Sequence, residues 1–183
     1  MPDKPPLGGP LPRLHVLGVA TSADRAAPDR ALLRTLQAHA PAGLRVDLLD
    51  AAALRSVPLG EVLADHDLVL VATSDGSEPE PVLRWAGSQG AASPLRRVPV
   101  AVVRASGGRM SESPGPRAEG SETAGDRLRR AFGEAGACVV PRQDCLYDPA
   151  DVPALARLAE DLRRWVRDHG CGSVLAALAK PSP

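Results

Sequence analysis

Apolar residues along this chain follow two different periods. Five short stretches are nearly continuous: Leu14–Val19, Leu44–Leu49, Leu68–Ala72, Val98–Arg104 and Ala137–Val140. Short apolar runs rich in Val and Leu, bounded by polar residues, predict strands, and near-continuous runs predict burial on both faces. Between them the apolar positions recur at helical spacing. Leu32, Leu33 and Leu36 make a stripe after Pro28, which suits a first helical turn. Val82 to Ala86 follows Pro79 and Pro81 and continues to about Gly90. Leu128, Ala131 and Phe132 share a face within Glu122–Ala135, and Leu155, Leu158, Leu162, Trp165 and Val166 share one within Val152–Asp168. Asp50 to Ala64, interrupted by Pro58 and Gly60, predicts only one or two short helical turns. Strand and helix thus alternate five times. Short strand–helix–strand units imply right-handed parallel crossovers. The expected fold is an α/β three-layer sandwich with a five-stranded parallel sheet in the order 2-1-3-4-5.

The ends of the chain break this pattern. Met1 to Pro12 holds five prolines and two glycines and is expected to be a disordered leader (1–12). One domain spans 13–170, since 183 residues suit a single domain. Residues 171–183 are expected to form a carboxyl-terminal extension and tail. Gly107 to Gly120, rich in Gly, Ser and Pro, is expected to be a mobile loop or lid.

Composition narrows the function more than the fold. Lys+Arg 22 against Asp+Glu 22 gives no formal charge, so neither nucleic acid nor a membrane surface is an expected partner. No run approaches the roughly 20 apolar residues of a membrane span. Cys138, Cys145 and Cys171 lack CxxC spacing, which argues against a disulfide framework and a zinc site and for a reduced, cytoplasmic setting. The expected partner is a small molecule.

The polar residues that end three of the strands carry the candidate chemistry. They are Thr21 and Ser22 after the first strand, Thr73-Ser74-Asp75-Gly76-Ser77 after the third, and Ser106-Gly107-Gly108-Arg109 after the fourth. In open α/β sheets ligands bind at the carboxyl ends of the strands, where strand order reverses. Three loops there predict one crevice.

At these loops the chain resembles the NAD(P)H-dependent FMN reductases of the flavodoxin-like fold, over about Leu14 to Val140. That family's first loop reads roughly G-S-x-R-x-x-S-x-N-R. Here Ser22 and Arg30 match, while Asp24 stands where Arg is usual, Ala27 where Ser is usual and Asp29 where Asn is usual. Its second loop reads T-P-E-Y-N-G-S-x-P-G-x-L-K. Thr73, Leu83 and the basic Arg84 match, and the usual Tyr and Asn are missing. Its third, S-G-G-R, is matched by Ser106, Gly107, Gly108 and Arg109, but Ser111-Glu112 replaces the customary Gly pair that follows. The resemblance implies FMN and NAD(P)H as cofactors, hydride transfer as the chemistry, and a homodimer. It places the cofactor at Thr21, Ser22, Arg25, Asp29 and Arg30, at Thr73 to Ser77, and at Ser106 to Arg109.

The chemistry of such a cofactor sets requirements that the residues meet unequally. A flavin phosphate needs N–H groups, hydroxyls and a helix amino terminus, which Thr21, Ser22 and the helix after Pro28 supply, with Arg25 and Arg30 adding charge. Asp24 and Asp29 oppose it, because a carboxylate beside a phosphate repels it. The alternative is that both simply cap or complement the first helical turn. Gly107 and Gly108 permit close backbone approach to a flat ring, or merely turn the chain. No catalytic acid or base is singled out, because hydride transfer needs chiefly two well-placed rings. His15, His39, His66 and His169 are scattered, and no metal site is expected. Cys145 carries a small weight as a crevice residue, and Tyr147 reads as a loop contact before a crevice edge. Two functions therefore stand: an FMN reductase-like oxidoreductase with weak FMN binding, or a flavin-less relative that uses the crevice as an accessory protein or for another small molecule.

Overall fold

The computed structural model describes residues 13–50, 53–55, 59–75, 77–87, 93–107, 122–140 and 146–169. The expected leader, the tail, the lid beyond Gly107, Gly76, Gly108, Arg109, Cys145 and Cys171 lie outside the described residues. The elements in chain order are β1 (Leu14–Ala20), α1 (Pro28–Ala38), β2 (Leu44–Leu49), a 3-10 turn (Ala53–Arg55), α2 (Leu59–Ala64), β3 (Leu68–Ser74), α3 (Glu80–Gly87), β4 (Pro99–Ala105), α4 (Ala124–Glu134), β5 (Cys138–Val139), β6 (Leu146–Tyr147) and α5 (Val152–His169).

The sheet is parallel throughout, in the order β2-β1-β3-β4-β5. One addition was not foreseen. The two residues of β6 pair with the carboxyl end of β4, Arg104 opposite Leu146 and Ala105 opposite Tyr147, whereas β5 pairs with its amino half. A two-residue strand has no periodicity to read, so the sequence-based expectation of five strands becomes six. β6 also corrects the expectation for Tyr147. It is a sheet residue, buried, with its carbonyl accepting the Ser106 N–H at 2.8 Å.

β3 is central, and all seven of its residues are buried. Its side chains alternate between two cores. Leu68, Leu70 and Ala72 pack with Leu32, Leu33 and Leu36 of α1 and with Leu155, Leu158 and Leu162 of α5. Val69 and Val71 pack with Leu63 of α2, Val82 and Trp85 of α3, and Leu128 and Phe132 of α4. This is the three-layer sandwich that the unbroken apolar runs require, since helices cover both faces. With few aromatics in the chain, Trp85 meets Phe132 edge-on, ring centroids 6.2 Å apart. Among the described residues no helix is long and apolar enough to cross a membrane.

Several boundaries move toward the site. β1 runs on through Ala20, and β3 through Thr73 and Ser74, so those two hydroxyls belong to the strand end and not to a loop. Gly60, expected to interrupt the chain, lies within α2. Its position in the first turn spares it most of the cost that an interior glycine carries.

Candidate functional site

The three loops do come together, and named contacts tie each to the next. The Ser22 and Ser74 hydroxyl oxygens lie 3.5 Å apart, linking the ends of β1 and β3. Arg104 of β4 donates from Nη2 to Asp75 Oδ1 at 2.8 Å, linking the ends of β3 and β4. A methyl group at Gly107 would stand 3.9 Å from Pro28 Cγ, so the chain after β4 lies beside the start of α1. These contacts follow from parallel register. Ala20 is opposite Ala72, and Ser74 is opposite Ala105, so the strands end at nearly the same height.

The β3 end is closed on itself by hydroxyls. Ser77 Oγ lies 2.9 Å from Thr73 Oγ1 and accepts the Ser74 N–H at 3.3 Å, and the Ser77 N–H donates to the Ser74 carbonyl at 3.1 Å. Short polar side chains bonding to nearby backbone make such turns favourable. Thr73 and Ser74 are buried, whereas Asp75 is 81% exposed and leans on Arg104.

The β1 end differs from what the residue types suggested. Asp29 is fully buried. Its Oδ2 accepts the Thr21 hydroxyl at 3.1 Å and the Ser22 N–H at 2.8 Å, and its Oδ1 accepts the Arg30 N–H at 3.0 Å. Asp29 thus does not face the crevice from the rim; it complements the first turn of α1 by accepting the Arg30 N–H, though the cap itself is Ala27 without a side-chain bond. Asp24 neither caps nor complements the first turn of α1, which begins at Pro28. It is exposed, and its Oδ1 accepts the Ala26 N–H at 2.9 Å, a local turn bond. Arg25 is exposed, and its carbonyl receives Arg34 Nη1 at 3.2 Å. Arg30 is committed within the chain, with Nε to the Ser22 carbonyl at 3.1 Å and Nη2 to Asp50 at 2.7 Å.

Asp50 was not among the residues the sequence singled out, though it pairs with one of them, Arg30. It follows β2, and the same strand-end rule that selected the other loops would have found it. The Arg30–Asp50 pair borders a cleft of about 220 Å³ over Gly18, Leu33, Leu48 and Leu49, between α1 and the ends of β1 and β2. His66, expected as a surface turn, is also more enclosed. Nδ1 lies 2.6 Å from the Val62 carbonyl and Nε2 3.4 Å from Asp47, at the opposite end of the sheet from the crevice. Among the described residues no group of His, Cys, Asp or Glu is placed to hold a metal ion.

The fit to a flavin divides along the crevice. The β3 and β4 ends present hydroxyls and a side-chain-free Gly107, which suit the edge of a flat ring. The β1 end does not suit a phosphate, because the Thr21 hydroxyl and the Ser22 N–H already serve a buried carboxylate.

No family model and no curated protein matches the chain. Solved structures do. The chain is similar to FerB, a flavoenzyme NAD(P)H:(acceptor) oxidoreductase from Paracoccus denitrificans, at 16% identity and a TM-score of 0.60 over 85% of this chain and 98% of that one. It is similar to a flavodoxin from the domain Archaea at 15% identity and a TM-score of 0.53, covering 84% and 99%. It is also similar to an NADPH-quinone reductase from P. pentosaceus at 14% identity and a TM-score of 0.51, covering 83% and 96%. Strand order and these likenesses agree: the chain has the flavodoxin-like fold.

Proposed function

We propose that the protein is an oxidoreductase that passes hydride from NAD(P)H to a flavin, FMN being the form its motifs resemble, seated where the β1, β3 and β4 ends meet. The observation that carries this reading is the meeting itself, Ser22 against Ser74, Asp75 against Arg104 and Gly107 beside Pro28, at the carboxyl edge where strand order reverses. A flavin supplies the two-electron acceptor in such chemistry. The chain supplies position. The Ser74 and Ser77 ends and the bare Gly107 backbone would hold the polar edge of the ring, beside the buried end of β3. The small-molecule acceptor, the cytoplasmic setting and a homodimer belong to the same proposal.

The test is oxidation of NADH and NADPH by the purified protein with FMN, riboflavin or a quinone as acceptor, followed by nicotinamide absorbance. Turnover above the protein-free rate is expected with at least one pair. No turnover with any pair refutes the reading. A second reading, a flavin-less accessory or binding protein, is favoured by one feature, the carboxylate of Asp29 at the phosphate end. It predicts colourless protein and no change in flavin fluorescence on mixing.

A further inference from the structure

The β1 end has the donors that an anionic ligand would seek, and they are engaged. A loop hydroxyl, a loop N–H and a first-turn helix N–H are the groups that hold anions at helix amino termini. Here they are Thr21 Oγ1, Ser22 N and Arg30 N, and all three donate to Asp29. The carboxylate is fully buried, and among the described residues no basic side chain pairs with it. The adjacent guanidinium of Arg30 turns instead to the Ser22 carbonyl and Asp50. A buried charge is poorly screened, so its repulsion of a second anion is stronger than at the surface. The chain has in effect placed its own anion in the cradle.

We propose that Asp29 is a specificity-determining residue that excludes phosphorylated ligands, so that the crevice takes flavin without its phosphate. Riboflavin, with a neutral ribityl chain, is the form that fits. The inference rests on the flavin reading above and deepens it. It makes flavin a substrate that enters and leaves, in place of an FMN anchored by its phosphate.

The test compares riboflavin with FMN, which differ only in the phosphate, by quenching of flavin fluorescence on wild type and on Asp29→Asn. Wild type is expected to bind riboflavin at least as tightly as FMN. Asp29→Asn, which removes the charge and keeps the shape, is expected to shift the ratio toward FMN by at least about tenfold. FMN binding at least about tenfold tighter than riboflavin to wild type overturns the inference, and this comparison needs no variant to fold. An unchanged ratio in Asp29→Asn also overturns it. If neither flavin binds either protein, the flavin reading fails, and thermal denaturation with inorganic phosphate decides the inference alone. Stabilisation of Asp29→Asn but not of wild type upholds it. An equal response, or none in either, overturns it.

Discussion

Among the described residues, two helices carry an aspartate in the first turn, and the two aspartates do different work. In α4, Thr123 is the N-cap. Its Oγ1 accepts the Asp126 N–H at 3.2 Å, and Asp126 Oδ2 accepts from the Thr123 N–H and hydroxyl at 3.3 and 2.6 Å. This is a capping box closed within four residues, and its carboxylate is partly exposed. In α1, Ala27 offers no cap, and Asp29 reaches back across seven and eight residues to Ser22 and Thr21. The first arrangement satisfies a helix. The second fastens the loop after β1 to a helix, and its carboxylate has no contact with water. The same side chain at similar helical positions is thus local in one case and tertiary in the other. What decides is whether a strand end stands beside the helix start.

This contrast can be broken by mutation. The largest effect is expected from Asp29→Ala, which strands three donors at a buried position. It should cost about 3 kcal/mol in urea denaturation, given about 1–3 kcal/mol for each unsatisfied buried group. Loss under about 1 kcal/mol would mean that water or a neighbour replaces the carboxylate with ease. Thr123→Ala should cost about 1 kcal/mol, the usual loss of an N-cap, and leave flavin binding unmoved. Equal effects of the two substitutions would erase the distinction drawn above. The smallest effect is expected at the exposed rim. Asp75→Ala should stay within about 0.5 kcal/mol, since its pair with Arg104 lies in water. Tryptophan fluorescence follows all three, because Trp85 is buried among the residues that unfolding exposes.

The architecture was legible in the sequence because it depends on period alone. Leu68 to Ala72 is continuous and apolar, and it became the central strand with helices on both faces. Asp24 was legible only as part of the polar loop after β1; its bond to Ala26 closes a turn there and not the helical turn expected of it. The site was legible only as a location. Strand-end polar residues marked where three loops meet, yet nothing in their identities revealed that Arg30 would turn to Asp50, or Arg104 to Asp75. Those pairs join residues 20 and 29 positions apart, and their choice depends on sheet order and on where each strand stops. β6 escaped because two residues carry no pattern.

What the sequence by itself determined is therefore the alternation of elements, the parallel sheet with its order, the two cores and the edge at which the polar strand ends meet. Each follows from short-range apolar period and from the handedness of crossovers, which every segment of the chain expresses locally. What only the tertiary structure decided is the electrostatic character of that edge. Whether Asp29 would be a cap, a rim charge or a buried acceptor depended on the distance between the end of β1 and the first turn of α1, a quantity set by packing of α1 on Leu68, Leu70 and Ala72. A carboxylate's effect on a ligand depends on burial and on which donors it has already taken. Both arise only once strands distant in sequence lie side by side.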